Sequence, residues 1–396
     1  MKKAPLVLAY SGGLDTSYSL RKLSQEGYEV HAVSVNTGGF SPEEIENIES
    51  KAYQMGAFTY QNIDALEDFY QKIIRYLLFG NILKNNTYPL SVSAERIIQA
   101  IEIVNYSKKI GAQYIAHGST GAGNDQVRFD LIFQVMAPEI EIITLIRDQQ
   151  LSREDEIEYL KSEGIDIPWE KAQYSINQGL WGTSVGGAET LTSHLPLPDN
   201  AYPSSLKSQQ PLKLELSFEK GEFVALNGSP ASPIQLIQDL DQQAKKFAIG
   251  RDIHVGDTII GIKGRVGFEA AAPMILIKAH HLLEKHTLSK WQQFQKEQLA
   301  SFYGIQLHEG QYLDPALRDI EAFLESSQQR VTGKVFIELH PYRFELLGIE
   351  SPFDLMQAEF GSYGEMNRGW TASEAKGFIK LTANSTKIYQ HLNQKQ

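Results

Sequence analysis

A short apolar segment, Leu6-Val7-Leu8-Ala9-Tyr10, runs directly into Ser11-Gly12-Gly13-Leu14-Asp15-Thr16-Ser17, and Tyr18 to Glu26 then reads as a helix. A buried parallel strand, a glycine turn and a helix start, in that order, make a place for phosphate. Two adjacent glycines let the backbone approach an anion closely, and the N–H groups of a helix N-terminus point at it. Ser11, Thr16 and Ser17 add hydroxyl donors. The run lacks the G-x-x-x-x-G-K-[ST] spacing of a Walker loop, which occurs nowhere else in the chain, and the G-x-G-x-x-G spacing of a dinucleotide fold. A ligand-free strand-to-helix turn is the plainer alternative. Against it, hydroxyls and glycines crowd one strand end, where open α/β sheets bind ligands.

With 396 residues the chain holds about two domains. Its net charge of -11 argues against a nucleic-acid partner, which needs a basic face. It has no cysteine, which excludes disulfides, thiolate nucleophiles and cysteine-held metal clusters. No stretch approaches the ~20 apolar residues of a membrane helix, so no membrane partner is expected. Lys2 and Lys3 precede an apolar run that the glycines cut short, which reads as a strand and not a signal peptide; a cytoplasmic location is expected.

Strand and helix signals alternate over the first ~165 residues, which predicts a parallel sheet covered on both faces. Val30 to Val35, Tyr114 to Ala116 and Ile140 to Leu145 read as strands. Glu43 to Met55 reads as a surface helix, and Ala94, Ile97, Ile98, Ile101 and Val104 fall at helical spacing before Gly111. Gly182 to Pro211 reads as loop. Beyond it the pattern becomes α+β, with strands at Leu212 to Phe218, Thr258 to Ile262 and a hairpin of Val335 to Leu339 with Phe344 to Leu347. Helices are expected at Ile234 to Lys246, Ile275 to His286 and Leu317 to Ser326. The tail opens on a capping box, Thr371 to Glu374, and then offers Phe378, Ile379, Leu381, Ile388, Tyr389 and Leu392, an apolar surface that packs on its own chain or reaches a neighbouring subunit, the second being the preferred reading.

A second loop, His117-Gly118-Ser119-Thr120-Gly121-Ala122-Gly123-Asn124-Asp125-Gln126-Val127-Arg128, also follows a strand. Its hydroxyl, amide, carboxylate and guanidinium suit a zwitterion: carboxylate and amide hold an ammonium, and a guanidinium holds a carboxylate in a fork.

The first loop resembles the pyrophosphate loop of the ATP pyrophosphatase superfamily. The two loops together, with Tyr88-Pro89-Leu90, Tyr174-Ser175-Ile176, Asn227-Gly228, Gly250-Arg251, Arg330-Val331-Thr332-Gly333 and Ala375-Lys376-Gly377-Phe378, resemble the argininosuccinate synthase family over nearly the whole chain. The resemblance implies an α/β fold in three parts: an ATP-binding domain with a parallel sheet (1–167), an α+β synthetase and multimerisation domain (168–369) and a helical oligomerisation tail (370–396) of a homotetramer. It implies ligation of citrulline and aspartate in arginine biosynthesis, with ATP as substrate and Mg2+ as cofactor. Ala9, Tyr10, Ser11, Gly12, Gly13, Leu14, Asp15, Thr16, Ser17, Val35 and Gly118 would hold ATP. Tyr88, Ser93, Asn124, Arg128, Ser175 and Ser184 would hold citrulline, and Thr120, Asn124 and Asp125 aspartate. Asp15, Thr120, Asp125 and Arg128 are the expected catalytic residues, and none is assigned as a direct metal ligand. Tyr88 and Ser93 also read simply as the turn and cap before a helix, and Ser175 and Ser184 as ordinary loop serines.

The chain departs from the family pattern. Ala122 stands in place of a lysine, Ser91-Val92 in place of Gly-Thr, and Ile97 in place of a proline. Gly256 and Phe268 stand where the family has a glutamate and a tyrosine on the amino-acid end of citrulline, with Asp257 as the candidate replacement carboxylate. Three alternatives follow: the same ligation of an Nα-acylated citrulline, another synthetase of the superfamily, or a non-catalytic sensor of ATP or arginine.

Overall fold

The computed structural model describes residues 4–165, 173–357, 364–365 and 369–394. The expected boundary after residue 167 lies outside them. The first part is a parallel sheet of order β3-β2-β1-β4-β5, formed by β1 (Pro5–Ala9), β2 (Glu29–Asn36), β3 (Thr59–Asp64), β4 (Tyr114–His117) and β5 (Glu141–Ile143). Side chains alternate across β1 and serve both faces. Leu6 and Leu8 pack with Leu20, Leu23, Ala52 and Met55 from α1 (Leu14–Gln25) and α2 (Pro42–Met55). Val7 packs on the other side with Ile97, Ile101 and Val104 of α5 (Ser91–Ile110). Between β3 and α5 the chain forms α3 (Leu66–Phe69), a π turn (Tyr70–Ile74) and α4 (Arg75–Phe79). α6 (Asp125–Met136), α7 (Leu145–Gln149) and α8 (Arg153–Ser162) complete this part. The expected strand over Ile140 to Leu145 is shorter, because Leu145 already opens α7.

The chain runs outward from β1 to β2 and β3, then returns to place β4 on the other side of β1. The reversal lies between β1 and β4, so the loops that follow these two strands open into one crevice.

Two antiparallel sheets follow. The smaller, of order β11-β12-β7-β6, contains β6 (Ser175–Gly179), β7 (Gly182–Gly186), β11 (Arg251–Asp257) and β12 (Lys263–Glu269). It corrects two expectations. The stretch read as loop from Gly182 begins with β7. Thr258 to Ile262 is a turn between β11 and β12, in which the Thr258 N–H donates to the Ile262 carbonyl and Gly261 sits at φ +85°. This sheet is pinned to the first part at its β6–β7 turn. Buried Trp181 donates from Nε1 to the Pro89 carbonyl at 3.0 Å, and the Leu180 N–H donates to the Thr37 carbonyl at 3.0 Å.

The larger sheet, of order β10-β9-β8-β13-β14, contains β8 (Leu212–Glu219), β9 (Glu222–Leu226), β10 (Ser229–Pro230), β13 (Gly333–His340) and β14 (Arg343–Glu350). The last two form the expected hairpin. α9 (Pro233–Lys245) and α10 (Ala271–Thr287) pack on it, while α11 (Lys290–His308) and α12 (Pro315–Ser327) pack on each other and on α5 and α4 of the first part. A buried ion pair, Lys296 with Glu284 at 2.7 Å, joins α10 to α11, and Gln328 Nε2 satisfies the second Glu284 oxygen at 2.9 Å. With its partners complete, this pair holds the helices in one arrangement.

α13 (Ala372–Thr382) begins at the expected capping box and α14 (Asn384–Asn393) follows; neither has a buried residue. Among the described residues, no helix is long and apolar enough to cross a membrane.

Candidate active site

A cleft of about 1050 Å³ opens at the β1/β4 reversal. Its floor is the first glycine loop. Gly12 adopts φ +74° against Ile48, a conformation glycine takes without strain. Ser11 Oγ and Thr16 Oγ1 lie 3.3 Å apart beneath the start of α1. Ala9, Tyr10, Ser11, Gly13, Leu14, Asp15, Thr16, Val35 and Gly118 all line the cleft. Gly12 and Ser17 do not: Gly12 shapes the turn, and the Ser17 hydroxyl is buried against the Tyr10 hydroxyl at 3.2 Å. Asp15 faces Glu156 of α8. Burial and the neighbouring Asp15 carboxylate push the Glu156 carboxyl upward, and burial raises Asp15 as well.

The second loop touches the first. A Cβ on Gly118 would lie 2.9 Å from Thr16 Cγ2 and 3.2 Å from its backbone nitrogen, so only a glycine fits between the loops. Thr120 is exposed at the rim. Asn124 precedes α6 and its Oδ1 accepts from the Ile259 N–H at 2.9 Å, which ties the loop to the β11–β12 turn. Asp125 opens α6 and accepts from Arg96 Nε at 3.0 Å and from Arg128 Nη1 at 2.8 Å. The two guanidinium groups overcome the cost of burial and hold its carboxyl at about 2. Arg128 also donates from Nε to the His308 carbonyl at 2.9 Å.

Tyr88 and Ser93 line the cleft and also serve the helix start. The Tyr88 hydroxyl accepts from the Val92 N–H at 3.2 Å, and Ser93 Oγ donates to the Leu90 carbonyl at 3.2 Å. Ser175 and Ser184 come from neighbouring strands β6 and β7 and line the same cleft. The fold thus gathers around one opening every predicted site residue except Gly12 and Ser17.

Sequence reasoning missed Arg96, Asn177, His254 and His308, all of which line the cleft. Arg96 Nη2 donates to Asn177 Oδ1 at 3.0 Å, linking α5 to β6. The signal for Arg96 is a charged pair, Glu95-Arg96, set beside the apolar positions Ala94, Ile97 and Ile98 near the start of α5. The two histidines carry no local signal, because they arrive from β11 and from the end of α11.

Comparison with known proteins agrees with this arrangement. Residues 5–166 match the family model described as the arginosuccinate synthase N-terminal HUP domain, and residues 174–389 match that of the arginosuccinate synthase C-terminal domain. A relative from Methanocaldococcus jannaschii named argininosuccinate synthase is 36% identical over 388 residues, covering 97% of each chain. One of the same name from Dictyoglomus thermophilum is 36% identical over 393 residues, 98% of each chain. A third, from Sulfolobus acidocaldarius, is 36% identical over 380 residues, 95% of this chain and 96% of the relative.

Proposed function

The chain belongs to the argininosuccinate synthase family, and from that premise we propose that it joins the ureido group of citrulline to the amine of aspartate, converting ATP to AMP and pyrophosphate. One observation carries the reading. The phosphate-type loop after β1 and the zwitterion-type loop after β4 share a wall at Thr16 and Gly118, so a nucleotide and an amino acid meet there.

In the first step the ureido oxygen forms a bond to the α-phosphorus, and the bond to pyrophosphate breaks. In the second, the aspartate amine bonds to the activated carbon and AMP leaves. Both steps depend on position and on stabilised charge more than on a strong base. Ala9 to Ser17, Val35 and Gly118 hold ATP in this scheme, with Gly12 and Ser17 acting through the shape of the loop. Tyr88, Ser93, Asn124, Arg128, Ser175 and Ser184 hold citrulline. Thr120, Asn124 and Asp125 hold aspartate. Asp125 stays ionised at every working pH, so it orients the amine and does not remove its proton. The donors at the loop are N–H and hydroxyl groups and the nearby carboxylate is Asp15, so Mg2+ would be held chiefly by the phosphates of ATP, with Asp15 as the residue to assist it. Once bound, it neutralises charge on the departing pyrophosphate. We assign 1–167 to nucleotide binding, 168–369 to synthesis and assembly, and 370–396 to clasping a neighbouring subunit of a homotetramer in the cytoplasm.

The test is release of AMP and pyrophosphate from MgATP with aspartate and a citrulline acceptor. AMP formed in step with the carbon–nitrogen product is expected. ATP bound tightly with no turnover of any citrulline acceptor would replace the ligase reading with a sensor.

A further inference from the structure

The acceptor end of the cleft lacks a carboxylate free to receive an ammonium. Among the described residues, the carboxylates lining the cleft are Asp15, Glu44, Asp125 and Asp257. The first two lie at the starts of α1 and α2, beside the phosphate loop. Asp125 is bonded to two arginines and, in the ligase reading, is taken up by the aspartate amine. Asp257 does not replace the missing acid: its side chain is 63% exposed, lies 2.7 Å from Lys263, and alternates to the face of β11 opposite His254 and Gly256.

The room is taken by an imidazole instead. A Cβ at position 256 would lie 2.6 Å from His254 Nε2, so glycine at 256 and histidine at 254 are a matched pair. His254 is 6% exposed, stacks on Tyr88 at 5.3 Å between ring centres, and has a buried Nδ1 with no partner. Burial and the nearby Lys84 ammonium hold it below the usual histidine range, in the neutral form. Lys84 also lies within electrostatic reach of Arg128, His308, Glu309 and Asp257; neither Lys84 nor Glu309 is part of the cleft lining. Phe268, fully buried behind Tyr88, offers no polar atom.

An ammonium in this corner would face Arg128, with the Lys84 charge behind the lining, and lose its water without gaining a free anion. An amide carries no charge and supplies both a donor and an acceptor to a neutral imidazole. We infer that the acceptor is a citrulline acylated on its α-nitrogen, with the acyl amide against His254 and Gly256 and the acyl end toward Lys84. The inference rests on the ligase reading and narrows its substrate.

The experiment compares kcat/KM for free citrulline, Nα-acetylcitrulline and Nα-succinylcitrulline with the full chain, MgATP and aspartate. An acylated acceptor favoured by about 100-fold or more is expected, as for a site built to bond one polar group. Free citrulline used as well as either acylated compound overturns the inference and leaves the ligase intact. Silence with all three overturns the ligase reading, and the inference falls with it. The double variant His254→Ala/Gly256→Glu restores an acid and is expected to shift the preference toward free citrulline by ~10-fold or more; an unchanged preference overturns the assignment to this corner. Should the double variant not fold, His254→Leu is expected to raise KM for the acylated acceptor about tenfold with kcat little changed, and an unchanged KM overturns the assignment equally.

Discussion

Glu95 shows how much a single side chain costs the fold to place Arg96. It is 1% exposed; its Oε2 accepts from Thr37 Oγ1 at 2.7 Å, and its Oε1 has no hydrogen-bond partner. Burial raises its pKa from 4.5 to about 7, against the pull of Arg96 and Thr37. Because the folded value exceeds the unfolded one, the folded state binds this proton more tightly. The contribution is full below pH 4.5 and is lost as pH rises through 7. Glu95→Gln keeps an acceptor for Thr37 and carries no charge. Between pH 5 and pH 8 the wild-type chain is therefore expected to lose about 2 kcal/mol relative to the variant. Thermal or urea unfolding of both proteins at the two pH values measures this, and parallel pH dependences would refute it. The pair Glu95-Arg96 stands among apolar positions of α5, but only the fold says that Arg96 reaches Asp125 while Glu95 turns inward.

At the scale of elements, the contact between the two glycine loops sets the geometry of the nucleotide. Gly118→Ala forces its methyl into Thr16, which must shift by several tenths of an ångström. KM for ATP is expected to rise about tenfold, with a stability loss of about 1–3 kcal/mol from overpacking. Steady-state rates with ATP varied would show it, and an unchanged KM would mean that the loops tolerate separation. The strands and helices around these loops were legible because their periods are clean: β1 and β2 are near-continuous apolar runs, and α5 repeats every three to four residues. Other elements were not. Ile259, Ile260 and Ile262 imitate a strand, and Gly261 at φ +85° was the sign of a turn. α11 escaped notice because Trp291, Phe294, Phe302 and Ile305 are 44–66% exposed and blur its helical period. The acceptor corner was legible only as the departures at Gly256 and Phe268; His254 could not be read, since its place depends on packing against Tyr88, far away in the chain.

At the scale of the whole molecule, the tail is the element with the least to hold it. Phe378, Ile379, Leu381, Ile388, Tyr389 and Leu392 are 59–71% exposed, an apolar surface of the kind that marks a protein interface. Removing residues 371–396 is expected to convert the assembly to smaller species in sedimentation velocity while leaving the far-ultraviolet spectrum of the body nearly unchanged. An unaltered sedimentation coefficient would show that the tail does not clasp a neighbour. The cleft itself is built in two instalments. In the proposed scheme the nucleotide end comes from the loops after β1 and β4, whereas the acceptor end combines Tyr88, Ser93 and Arg128 of the first part with β6, β7, β11 and β12 of the second. Exchanging residues 251–269 is therefore expected to alter acceptor choice more than ATP use, because the loop after β1 lies outside that segment and the loop after β4 meets it through the bond from the Ile259 N–H to Asn124 Oδ1.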